Sequence, residues 1–101
     1  MPGISRHRHL AATGHGCSGT APVLATSRSV YVNGIRILRR GDPLAPHRIP
    51  KQDDKCGPHS AKVNRGSPNV FAEGIPVARR GDSADAGRMI QASGNVFANG
   101  G

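Results

Sequence analysis

Arg39-Arg40-Gly41-Asp42 returns as Arg79-Arg80-Gly81-Asp82, and the residues before each copy return with it. Setting Val30 to Asp42 against Val70 to Asp82 gives a constant offset of 40, with seven of thirteen positions identical. Such self-similarity marks units that must bury their apolar faces against one another. A third, truncated copy follows at Asn95-Val96-Phe97-Ala98-Asn99-Gly100, shifted by 26 from the second. The expected fold is therefore built from three related units in one small chain.

Each unit reads as a hairpin. Asn33-Gly34 lies between Val30-Tyr31-Val32 and Ile35-Arg36-Ile37, and both turn residues tolerate positive φ, so a two-residue turn is expected. That turn pairs Val32 with Ile35, Tyr31 with Arg36 and Val30 with Ile37. Alternation then puts Val30, Val32, Ile35 and Ile37 on one face, and Tyr31 and Arg36 on the other. Applied to Glu73-Gly74, the same register puts Val70, Ala72, Ile75 and Val77 on the inner face, with Phe71 and Pro76 outside. Pro76 has no N–H to donate, so it belongs at an edge or an unpaired position. In the third copy Val96 and Ala98 point inward and Phe97 outward. Its single strand needs a partner from elsewhere in the chain.

The 101 residues allow one domain, and 14 Gly, 8 Pro and three aromatics preclude a thick apolar core, so a further staple is expected. The boundaries read as an N-terminal arm over 1–13, containing His7 and His9, and a single domain over 14–101. Pro43 to Asn64 reads as a long loop with a charged stretch at Lys51 to Lys55, and no segment sustains a helical period; Ser83 to Met89 could form one short turn. No apolar run reaches the roughly 18 residues of a membrane helix, and the first residues are too polar for a signal peptide. A soluble chain made in the cytoplasm is expected.

The formal net charge of +8 makes nucleic acid or an anionic surface conceivable partners. The basic residues are scattered among turns, however, and the aromatics recur at repeat positions without interleaving with Lys and Arg as a base-stacking surface requires. A small basic nucleic-acid-binding module is thus the alternative reading, and no nucleic acid partner is expected.

Loops that leave and enter the hairpins carry His15, Cys17, His47, Cys56 and His59. Zinc takes about four N or S ligands, and Cys56-x-x-His59 has a chelating spacing that His15 and His47 could complete. A Cys17 to Cys56 disulfide is permitted, but the neighbouring histidines favour metal. Enzymatic activity is not expected: a Cys-His pair is formally available without an evident orienting carboxylate. Arg39-Arg40 and Arg79-Arg80 read as structural, bridging to Asp42 and Asp82 or solvated.

Taken together, the two Val-aromatic-x-x-Gly hairpins, Ile75-Pro76-Val77-Ala78-Arg79-Arg80-Gly81-Asp82, the terminal Gly94-Asn95-Val96-Phe97-Ala98 and the opening Thr13-Gly14-His15-Gly16-Cys17 resemble the PAAR-repeat proteins. The resemblance covers almost the whole chain from Gly14. It implies an all-β, small conical, loop-rich domain of hairpin repeats with approximate threefold internal symmetry, stapled by one structural zinc. It implies, too, the membrane-piercing tip that caps and sharpens the trimeric β-helical central spike (VgrG-like or a phage spike) of a contractile injection machine, a phage tail baseplate or type VI secretion-like particle, delivered into a target cell envelope. One monomer would sit on one trimer, with Tyr31, Phe71 and Phe97 as three equivalent contacts. The family's zinc is usually held by three His and one Cys; His15, His47 and His59 match the histidine positions. The usual Cys-Gly is Ala86-Gly87 here, so Cys56 is expected to supply the thiolate, with Cys17 as the alternative.

Overall fold

The computed structural model describes residues 2–50 and 56–98, without the side chains of Pro50 and Cys56. The charged stretch and the last three residues, including the turn of the third copy, lie outside the described residues. The fold is all-β, with no helix among the described residues. Ten short strands are β1 (Leu10–Ala12), β2 (Thr20–Pro22), β3 (Tyr31–Val32), β4 (Ile35–Arg36), β5 (His47–Pro50), β6 (Cys56–His59), β7 (Phe71–Ala72), β8 (Ile75–Pro76), β9 (Ser83–Ala84) and β10 (Gly87–Met89).

The repeat hairpins form in the expected register, Val32 opposite Ile35 and Tyr31 opposite Arg36 in β3–β4, Ala72 opposite Ile75 and Phe71 opposite Pro76 in β7–β8. Asn33-Gly34 and Glu73-Gly74 take φ of 54°, 77°, 52° and 80°, the left-handed pair that a two-residue turn requires. Pro76 sits where the ladder needs no donor, and bonding resumes at the next residue with Val77 N–H donating to Val70 O. One inner-face expectation fails. Ile35 is 40% exposed, because it sits beside the turn, beyond the end of the packed core.

The missing strand of the third unit comes from the other end of the chain. Gly3 pairs with Phe97, the Ile4 N–H donates to Val96 O and the Ala98 N–H to Pro2 O. Residues 2–13, expected as part of an arm, are thus woven into the fold: Ile4 and Ser5 are buried, and β1 lies inside the four-stranded sheet β2-β1-β10-β9.

Threefold order is explicit in the backbone. The Leu38 N–H donates to Ser5 O, the Ala78 N–H to Leu38 O and the Ser5 N–H to Ala78 O, closing a ring around the axis. A second set repeats the pattern one turn on: Val23 N–H to His9 O, Val63 N–H to Asp42 O, and Met89 N–H to Asp82 O. This places Arg6-His7-Arg8-His9 in the role of Arg-Arg-Gly-Asp, a third copy that the letters conceal. Arg8 has φ 72° where Gly41 and Gly81 have 90°. His9 Nδ1 accepts from the Arg6 N–H at 2.9 Å, as the Asp42 and Asp82 carboxylates accept from Arg39 and Arg79 at 2.8 and 2.7 Å.

Two apolar clusters stack along the axis. One gathers Ile4, Val32, Ile37, Ala72, Val77 and Ala98 beneath the hairpins. The other gathers Leu38, Val23, Val63, Met89, Leu44 and several alanines above it. Each fully buried Leu, Val or Met contributes about 1.5–3 kcal/mol, which a chain this thin obtains at few positions. The molecule measures 42 by 26 by 22 Å, elongated along one axis. The segment expected as a loop after Pro43 instead contains the hairpin β5–β6, with His47 opposite His59. Ser83 to Met89 makes the hairpin β9–β10, with Asp85 in its turn at φ 53°.

Candidate metal centre

Three loops deliver imidazoles to one carboxylate. His47 begins β5 and His59 ends β6, so their direct pairing puts both rings at the same point of that hairpin. His15 arrives on the loop between β1 and β2, where the Thr13 hydroxyl receives the His15 N–H at 3.2 Å and donates to Ser18 O at 2.6 Å. The β9–β10 turn presents Asp85, its own N–H donating to Lys62 O. Gly14 allows the close approach: a Cβ there would stand 2.5 Å from Ala86 O, at a φ of 77° that side chains rarely adopt.

Around Asp85, His15 Nε2 lies 2.9 Å from Oδ1, His59 Nε2 3.2 Å from Oδ1 and His47 Nε2 2.8 Å from Oδ2. The three rings are mutually in contact, with centroids 4.9 to 6.3 Å apart. His47 and Asp85 are shielded from water, whereas His15 and His59 keep about a quarter of their side-chain surface exposed. Burial by itself raises the Asp85 carboxyl; hydrogen bonds from His15, His59 and His47 outweigh it and hold the group below the usual carboxylate range.

His47 shows what the arrangement asks for. Its Nδ1 is 3.0 Å from the Ala45 carbonyl, which can only accept, so Nδ1 carries a hydrogen. In the neutral ring Nε2 is then a bare lone pair aimed at a carboxylate oxygen, acceptor against acceptor, unless a proton or a cation lies between them. Three protonated imidazoles on one carboxylate would repel each other, whereas one divalent ion satisfies all four groups. The carbonyl behind His47 is also the second partner that metal-bound histidines use to fix ring orientation. The ligand atoms of His15, His59 and Asp85 lie within 4.8 Å of one another, close to the roughly 3.3 Å separations around a tetrahedral zinc with bonds of about 2.0 Å, and His47 reaches the other carboxylate oxygen. His15, His59 and Asp85 can hold a metal ion, and His47 faces the same carboxylate.

The three expected histidines are therefore brought together, and the fourth group is one that the sequence did not single out. Asp85 immediately precedes Ala86, which stands in the place of the usual cysteine. Its only sequence signal is a lone acidic residue in a Gly-containing turn. Cys17, expected as a possible thiolate and in a setting thought to favour metal, is disulfide-bonded. The Ser18 N–H to Arg48 O bond and the Arg48 N–H to Ser18 Oγ bond hold its loop against β5. Cys56 closes the β5–β6 ladder opposite Pro50; its side chain, the expected fourth ligand, lies outside the described residues. The expected aromatic contacts are on the surface, with Tyr31 and Phe71 each 56% and Phe97 47% exposed.

The fold is thus a small all-β domain of hairpin repeats that gathers three imidazoles around one carboxylate. The chain belongs to the PAAR-motif family, whose model matches residues 13–84. That family is structural, forming spike tips in contractile injection systems, and the match ends one residue short of Asp85. A search of the curated proteins finds no match to this chain.

Proposed function

We propose that this protein caps the trimeric central spike of a contractile injection machine and pierces the target envelope, its point held by one zinc ion on His15, His47, His59 and Asp85. The observation that carries the zinc reading is the convergence of the His15, His47 and His59 Nε2 atoms on one carboxylate, at 2.9, 2.8 and 3.2 Å from Asp85. The ion would supply four coordinate bonds joining three separate loops, so that metal binding becomes part of the folding free energy. The chain's own residues do the rest. His47 is oriented by Ala45 O, Asp85 is fixed by its turn, and the ring of backbone bonds at Ser5, Leu38 and Ala78 ties the three units so that none can peel away alone.

At the hairpin end, Tyr31, Phe71 and Phe97 are equivalent by the repeat and exposed, which suits a threefold partner. A single chain would thereby imitate the symmetry of the trimer beneath it. The particle is a phage tail or a related secretion machine. The deciding experiment is metal analysis of protein purified without added metal, with unfolding followed before and after chelation. One zinc per chain, whose removal lowers the melting temperature, is expected. A metal-free protein of equal stability overturns the zinc staple, and failure to co-purify with a trimeric spike overturns the cap.

A further inference from the structure

The pseudo-threefold axis makes three faces equivalent by backbone, and they are unequal in charge. An open cleft of about 1050 Å³ lies on one face, lined by Arg40, Arg65 and Arg88 with the buried Arg79–Asp82 pair in its wall. Among the described residues the three exposed arginines make no ion pair. The described carboxylates are committed elsewhere: Asp42 to Arg39 N–H and Thr26, Glu73 to Arg39 and Ser29, Asp82 to Arg79, Asp85 to the histidines.

The backbone bonds identify the counterparts. Arg40, Arg80 and His7 donate to Pro76, Gly3 and Arg36, and are equivalent. From the equivalence of Val63, Met89 and Val23, Arg65 matches Gln91 and Ala25, and Arg88 matches Pro22 and Lys62. Rotating the cleft once thus gives Arg80, Gln91 and Pro22; rotating again gives His7, Ala25 and Lys62. The fold accepts glutamine, alanine and proline at these positions, so it does not require the clustered guanidinium groups. A threefold partner could not select one face from three.

We propose that this cleft, bordered by Phe71 at its hairpin side, binds a compact phosphate-bearing anion. Three guanidinium groups without counter-ions among the described residues present planar donor forks around one opening, which suits an acceptor group of multiple negative charge. A compact anion fits better than an extended nucleic acid strand, since Phe71 is the one aromatic at the cleft and successive bases need successive stacking surfaces.

The test uses the full-length protein and two triple variants. Arg40→Gln/Arg65→Gln/Arg88→Gln empties the cleft of charge, and Arg28→Gln/Lys62→Gln/Arg80→Gln removes the same charge elsewhere. Circular dichroism checks that both fold. Pyrophosphate binding is measured by calorimetry, and flotation is compared with vesicles of phosphatidylcholine alone or with added phosphatidic acid. The cleft variant should lose pyrophosphate affinity by roughly tenfold or more while the control stays within about twofold. Flotation with phosphatidic acid in the wild type that the cleft variant loses would identify a headgroup source; pyrophosphate binding without flotation would identify a free anion. No pyrophosphate binding, equal loss in both variants, or cleft-dependent binding of duplex DNA in preference to pyrophosphate overturns the proposal.

Discussion

Asp85 and His9 show how a single side chain can carry a role the letters do not announce. Asp85→Asn keeps the shape and removes the anionic ligand, so metal affinity should fall at least about tenfold, the loss seen when a metal's immediate support is disturbed. Cys56→Ser should retain one metal per chain. Metal analysis of the two variants separates the carboxylate from the thiolate as fourth ligand, and the reverse pattern would return the role to Cys56. His9 accepts the Arg6 N–H, and His7 Nδ1 accepts the Ala25 N–H, so both must be unprotonated there. Burial, with Arg6 beside His9 and with Arg36 and Arg8 beside His7, lowers both groups from 6.5. The unfolded chain then takes up protons first, so their contribution is present above about pH 6.5 and is lost as pH falls through the lowered folded values. His9→Asp would install the carboxylate used in the other two repeats. Thermal unfolding from pH 7 to 5 should show a shallower decline for that variant than for wild type.

At the scale of strands, stability rests on close backbone approach more than on side-chain bulk. β10 lies so near β1 that a Cβ at Gly87 would stand 1.9 Å from Ala12 O, which is backbone and cannot swing aside. Gly87→Ala should cost about 1–3 kcal/mol by overpacking, read as a lower denaturation midpoint, and should disturb the Asp85 turn with it. The two complete hairpins were legible because Asn33-Gly34 and Glu73-Gly74 set both turn and register locally. β5–β6 was not legible. Its strands contain Pro50 and Pro58, their apolar alternation is absent, and they form because the loop around Ser18 and the Asp85 turn stand beside them.

For the molecule as a whole, the threefold arrangement governs what can be changed without loss of the fold. Tyr31, Phe71 and Phe97 extend outward from it, so alanine at all three should leave the melting temperature within a few degrees while weakening capture by a trimeric spike. Size-exclusion of the mixed proteins reads the second effect, and unchanged capture would remove these residues from the interface. Chelation acts at the other end of the axis. It should loosen the loops at His15, His47 and His59, with faster hydrogen exchange there than at the Leu38 ring.

Local rules settled much of this protein: the repeat, the hairpins, and the inward and outward faces except at Ile35, since turn chemistry and alternation act between near neighbours in sequence. Tertiary structure alone decided the rest. The third unit is assembled from Val96–Ala98 and Gly3–His9, so no constant offset could reveal it. Asp85 became a candidate ligand because three loops from different units converge on its turn, and three ordinary arginines became one cleft because the threefold arrangement folded them onto the same face.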